Sequence, residues 1–397
     1  MVARVNFCTR NMPCLLTIPR EIRDVILQDV LLASCPPDTT TDRVQPAAMR
    51  DHHGPKHVRL STTPVVAASL ALLLVSRAFA LATKATIVGL QERKRLIYTL
   101  DVLLVNDEFL WPTWLCVPAT VPTVDCVHVT VRTSGARSRD GLSAYYEAPR
   151  SIVPRILYSF YFLLHSFLRT APGRISVHSL LLDFVDEHDD EDDAAKERWQ
   201  TMHRLHRHAL PFGVVPVAPR ASWLAEILDP CISRMLTMDF RSAVFGGIVY
   251  ERIGSVTIMV NGHLLRSHDL GKRIATLSFT DPKATHGHLT APDLRLPAFW
   301  EWRDAAIVAR IKAGLGVGDA VAERPAGMPS LAVAEARIAA VKARQAQADA
   351  RDRAPLDLYA SSASEPPSKL PSFIDPRTWR KRYVTVKSAV LKRTYGL

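Results

Sequence analysis

Apolar and polar residues alternate along this chain with two different periods, and the periods predict its elements. Ile22, Val25, Ile26 and Val30 recur every three or four residues, with Arg20, Arg23, Asp24 and Gln28 between them, which is the pattern of an amphipathic helix. Proline costs no hydrogen bond at a helix start, and Glu21 complements the positive end of the dipole, so the helix begins near Pro19. Residues 97–105 are rich in β-branched and aliphatic residues, end at Asn106-Asp107 and predict a buried strand. Residues 124–132 alternate cleanly and predict a second strand, with Trp111-Pro112-Thr113-Trp114 as the turn that joins the two.

A largely buried helix over 152–168 and a strand over 175–184 come next. Helices at 199–208 and 222–228, a short apolar piece at 235–240 and a strand at 255–260 repeat the order. Such alternation favours parallel βαβ units. Leu181-Leu182-Asp183-Phe184 and Leu236-Thr237-Met238-Asp239-Phe240 are loosely alike, as two copies of a degenerate leucine-rich-repeat-like unit would be; a single irregular α/β layer fits equally. Residues 296–311, with Phe299, Trp300 and Trp302, predict the last packed helix.

These elements divide the chain into a helical module over 12–90, an α/β (or α+β) body over 95–312, and a C-terminal part over 313–397. Within the first, residues 35–64 hold Pro36-Pro37, a threonine run and Asp51-His52-His53-Gly54-Pro55, the composition of a flexible insertion. In the last, Leu331, Ala334, Ile338, Val341 and Ala348 trace a thin helical seam that Gln345 interrupts, too short for a coiled coil. Residues 361–371 read as a linker.

Composition excludes several classes. No apolar stretch approaches the roughly 20 residues of a membrane span, and Arg4, Arg10 and Pro13 interrupt what would be the core of a signal peptide. The expected location is the cytoplasm or nucleus. Six cysteines lie far apart with no Cys-x-x-Cys pair, so reduced thiols are expected, not a disulfide framework or zinc site. The net charge is +11, of which residues 376–397 hold +7 with no acidic residue. Trp379, Tyr383 and Tyr395 interleave with those charges, a composition compatible with nucleic acid, although such a tail more often is simply solvated.

Signatures of catalysis are missing. Gly314-Leu315-Gly316-Val317-Gly318 lacks dinucleotide-binding spacing and follows a helix, so it reads as a helix terminator. There is no phosphate loop, His-Glu-x-x-His or Gly-x-Ser-x-Gly. His203, His206 and His208 are crowded by Arg204 and Arg207, which disfavour a cation. The acidic run 186–193 lacks calcium-loop spacing and reads as a solvated loop. His178, His263, His286 and His288 have no nucleophile at a recognisable spacing. The expectation is a protein that is not an enzyme and holds no cofactor or metal.

Leu15-x-x-Ile18-Pro19-x-Glu21-Ile22 followed by aliphatic residues resembles the opening of the F-box and F-box-like segments of many fungal proteins. Leu72-Leu73-Leu74-Val75-Ser76-Arg77-Ala78-Phe79-Ala80 is similar to the later helix of that module. The resemblance covers about the first quarter of the chain. It implies a compact helical bundle that docks on the Skp-type linker subunit of a cullin-RING ubiquitin ligase while the body receives a protein substrate. Ile18, Pro19, Ile22, Val25 and Ile26 would carry that contact by burying apolar area. The alternative is an interaction protein whose F-box-like helices pack in its own core. The two differ in one respect: an adaptor leaves Pro19, Ile22 and Ile26 partly exposed.

Overall fold

The computed structural model describes residues 15, 18–34, 57–61, 65–136, 155–170, 175–186, 192–204, 217–238, 243–279 and 292–353. Two compact units divide the chain, Met1–Ala334 and Glu335–Leu397. The first is a mixed α/β structure built on a six-stranded sheet; the described part of the second belongs to one helix.

Three helices come first: α1 (Arg20–Leu32), α2 (Ala68–Val75) and α3 (Arg77–Glu92). The expected single later helix is two. Ser76 takes an extended conformation (φ −162°, ψ 163°), ends α2 and caps α3 by accepting a hydrogen bond from the Phe79 amide at 3.3 Å. Part of the expected flexible insertion is packed: Val58 is buried and bridges Leu110, and the Arg59 amide donates to the Leu110 carbonyl at 2.9 Å.

Strands β1 (Ile97–Val105), β2 (Phe109–Cys116) and β3 (Thr123–Ser134) follow, then helix α4 (Arg155–Thr170) and strand β4 (Ser176–Phe184). Helices α5 (Asp193–Arg204), α6 (Ala221–Met235) and α7 (Ala243–Arg252) lead to the hairpin β5 (Ile253–Val260) and β6 (His263–Asp269). Helices α8 (Leu270–Thr276), α9 (Pro292–Lys312) and α10 (Leu331–Arg353) complete the described chain. The sheet order is β2-β1-β3-β4-β5-β6. β1, β3, β4 and β5 are parallel, with β2 and β6 antiparallel at the edges.

Residues 111–114 are therefore not a turn but the middle of β2, with Pro112 opposite Val102. An edge strand tolerates proline because an amide facing away from the neighbour is not needed. The turn instead lies at Asn106-Asp107, both at φ 52°. Buried Asp107 accepts from the Trp199 indole at 3.2 Å, which ties α5 to that turn.

The two loosely similar segments are not copies of one unit. Residues 181–184 lie in β4, whereas Met235 and Leu236 end α6 and residues 239–240 lie outside the described residues. α6 also runs past the expected end at Leu228, through exposed Pro230, to Met235.

Alternation gives the sheet two unlike faces. Leu100, Val129, Val127, Leu180 and Val256 share the inner one, toward α4, α6 and α7. Across the other runs the row His128, Leu181, Thr257 and Ser267, half-buried until the exposed Ser267 at the edge. Beside it Arg132 spans two strands and pairs with Asp101 through two hydrogen bonds of 2.9 and 2.8 Å.

α9 is tied to its neighbours by a buried arginine. Arg310, fully buried, donates to the carbonyls of Tyr250 (2.5 Å), Ile253 (2.7 Å) and Gly316. Gly314 at φ 71° ends α9, with the Leu315 amide on the Arg310 carbonyl and the Gly314 amide on that of Ile311. The glycine run is thus a helix terminator. No helix among the described residues is long and apolar enough to cross a membrane.

Candidate docking surface

α1 carries two apolar faces in thirteen residues. Leu27 and Leu31 form one, at 1% and 0% exposure, and Leu31 joins the main hydrophobic core. Ile22 (53% exposed) and Val25 (56%) lie around the helix from the first, with half-buried Ile26 and exposed Asp29 beside them, and Val30 (45%) stands at the margin between the two sides. The helical spacing in the sequence marks the outward residues, which the F-box resemblance assigns to a partner; the anchoring pair Leu27 and Leu31, four residues apart, is supplied by the structure.

Pro19 occupies the N-cap position with φ −48° and ψ 141°, and no side chain caps the helix. The Pro19 carbonyl accepts from the Arg23 amide at 3.0 Å, so the proline sets the first turn without needing an amide of its own. Pro19 is exposed; Ile18 and Ile26 are half-buried. The five residues singled out in the sequence are thus on or beside the outward face. Arg20 and Asp24, 3.5 Å apart on the side of the helix that carries Leu27 and Leu31, form a solvent-accessible ion pair worth little to stability.

The neighbouring helices add to the exposed apolar inventory. Leu70, Leu74 (76%) and Val75 on α2, and Leu81 and Val88 on α3, are all exposed. Eight of the eighteen exposed large apolar side chains among the described residues therefore fall on these three short helices. Single exposed leucines need no explanation, but a concentration of them marks an interaction surface.

The chemical candidates fare differently. His203 lies in α5, while His206 and His208 are outside the described residues, as are His286 and His288. His178 is half-buried in β4, and His263 is exposed at the start of β6. Of the acidic run, residues 187–191 are outside the described residues. Asp186 serves structure, accepting from the Ser222 amide at 3.2 Å and pairing with Arg220 at 3.5 Å. Asp192 accepts from the Ala195 amide at the start of α5. The basic tail 376–397 and Cys8, Cys14 and Cys35 are likewise outside. Cys116, Cys126 and Cys231 are free, and burial pushes each thiol up, away from nucleophilic reactivity. No cluster among the described residues has the make-up of a metal site.

The main polar groups buried in the body hold backbone or each other. The Tyr98 hydroxyl donates to the Ala119 carbonyl, and burial pushes its pKa up to about 12. His268, 4% exposed, has Nδ1 3.0 Å from the Arg273 guanidinium and Nε2 3.9 Å from the Asp229 carboxylate. Burial first, then Arg273, lowers its pKa, which keeps the ring neutral.

No protein-family model matches the chain, and no curated protein or solved structure matches it at a significant level.

Proposed function

We propose that the protein is a non-enzymatic adaptor: α1 docks on a Skp-type linker subunit of a cullin-RING ubiquitin ligase, and the α/β body presents a protein substrate. The observation that carries this reading is the outward apolar stripe of α1. A helix serving only its own fold buries its apolar face and shows a polar one. α1 does bury Leu27 and Leu31, and then offers Ile22 and Val25 as well, each more than half exposed. Fully burying such a side chain is worth about 1.5–3 kcal/mol, so a few of them reach the scale of an interface hot spot. The F-box-like sequence of residues 15–27 names the partner class.

The outer sheet face supports the second half of the reading. Half-buried His128, Thr130, Arg132, Leu181, Asp183 and Thr257 present mixed polar and apolar groups on three adjacent strands, a platform suited to a protein ligand.

Affinity capture tests it. The full chain is co-expressed with a tagged fungal Skp-type linker, alongside a Pro19→Ala/Ile22→Asp double variant. Wild type is expected to be retained, and the variant to fall at least tenfold at equal expression and unchanged melting. Equal recovery of the two would sink the adaptor reading and favour a helix that merely completes its own fold.

A further inference from the structure

The inner sheet face does not meet its helices everywhere. Between it and α4, α6 and α7 lies a cavity of about 510 Å³. Leu100, Val129 and Leu182 stand on the sheet side, and Phe160, Leu164 and Phe167 of α4 face them. Protein interiors are close-packed, with few voids larger than a water molecule, so a space of this size is part of the molecule's shape. It lies within the range of small-molecule sites, roughly 300–1,000 Å³, and is roughly three times an apolar cavity that takes up benzene.

Its chemistry is one-sided. Among the described residues the lining contains no Asp, Glu, Lys, Arg or His, and its polar groups are the hydroxyls of Tyr98, Thr120, Tyr161 and Ser166 and the indole of Trp114. The Tyr98 hydroxyl is already engaged by the Ala119 carbonyl. A charged ligand would lose its hydration with no counter-charge inside. A peptide would bring an amide and a carbonyl per residue, each costly to bury without a partner. A hydrocarbon or aromatic body asks for neither.

The mouth is preformed. Leu60 and Val65, 41% and 53% exposed, and Thr120 are the most exposed of the described lining residues, and several residues of α4 are half-buried beside them. The strand pairing of Val58 and Arg59 with Leu110 holds Leu60 in place. On the other side the Ala68 and Ser69 amides donate to the Val117 and Pro118 carbonyls at 2.8 and 2.9 Å.

We propose that this cavity is a binding site for a neutral, lipophilic small molecule, entered past Leu60, Val65 and Thr120. Nothing in the adaptor reading requires it.

The test uses the full chain and N-phenyl-1-naphthylamine, a neutral dye that fluoresces in apolar surroundings. Saturable uptake of one dye per chain at micromolar concentration is expected, with energy transfer from tryptophan and a raised melting temperature. Decanol should displace the dye at least tenfold more effectively than decanoate at pH 8. Ser166→Trp, which fills the cavity from a polar position, should weaken uptake at least tenfold without lowering the melting temperature. Non-saturating uptake, equal displacement by alcohol and carboxylate, or unchanged uptake by a folded Ser166→Trp protein would each overturn the proposal. Should that variant fail to fold, stoichiometry and displacement with the wild-type chain decide alone.

Discussion

Tyr98 stands in β1 with its hydroxyl turned into the body, where ionisation would put a phenolate among apolar groups. Burial is the largest cause of its raised pKa, from the ordinary 10.0 to about 12. The folded state therefore holds the proton more tightly than the unfolded one. The stability this confers is full below pH 10 and is lost as pH rises from 10 through 12. Burial also raises the pKa of Tyr250, so absorbance titration should show late phenolate steps that extend to about pH 12, and Tyr98→Phe should remove one tyrosine's share of them. Ionisation of all exposed and buried tyrosines near pH 10 would contradict this account. His268 gives the opposite slope. Its lowered pKa means the unfolded chain takes up a proton first, so stability present above the ordinary value of 6.5 falls as the solution becomes more acidic. Urea midpoints from pH 7.5 to 5 should fall less steeply for His268→Gln than for wild type; parallel slopes would refute the assignment.

At the scale of elements, α9 acts as a clamp whose teeth are arginines. Arg303 donates to the carbonyls of Ile274, Ala275 and Ala322, fixing the end of α8, as Arg310 fixes the junction of α7 and β5. Removing a guanidinium leaves several buried carbonyls without donors, each costing about 1–3 kcal/mol. Arg310→Met should therefore lower urea stability by at least about 3 kcal/mol, with Arg310→Lys recovering only part, since a point ammonium cannot span these acceptors. A loss under about 1 kcal/mol would show that the clamp is not needed.

The same scale shows what the sequence can and cannot reveal. β1 is legible because a strand largely buried on both faces is rich in β-branched and aliphatic residues; its bounds, Ile97 and Val105, match those the sequence predicts. β6 was missed although Asn261-Gly262 announces it: both residues sit at positive φ, 50° and 76°, as a two-residue hairpin turn requires. α7 was opaque for a physical reason. Gly246 and Gly247 lower its helix propensity, yet a Cβ at 246 would come within 2.7 Å of the Met235 carbonyl, so close packing against the end of α6 demands glycine. The cavity was equally hidden, because its walls read as ordinary core positions and only their separation in space makes a site. On α1 the sequence disclosed the outward residues but not the anchors that turn them outward.

Taken whole, the unit Met1–Ala334 joins a helical end rich in exposed aliphatic side chains to a sheet with one apolar and one mixed face. Buried Arg303 and Arg310 hold backbone carbonyls, and the Arg132–Asp101 pair joins two strands. The adaptor reading proposed above rests on the helical end. Its central claim is that the outward stripe of α1 is an interface. Titration calorimetry of the purified chain against a Skp-type linker subunit tests this most directly. The account predicts one linker per chain with a dissociation constant in the micromolar range or below. It also predicts a loss of at least a hundredfold in Ile22→Asp/Val25→Asp with an unchanged melting temperature, because surface substitutions of this kind alter stability by only about 0.5 kcal/mol. Absence of binding by the wild-type chain, or equal binding by the variant, would contradict it.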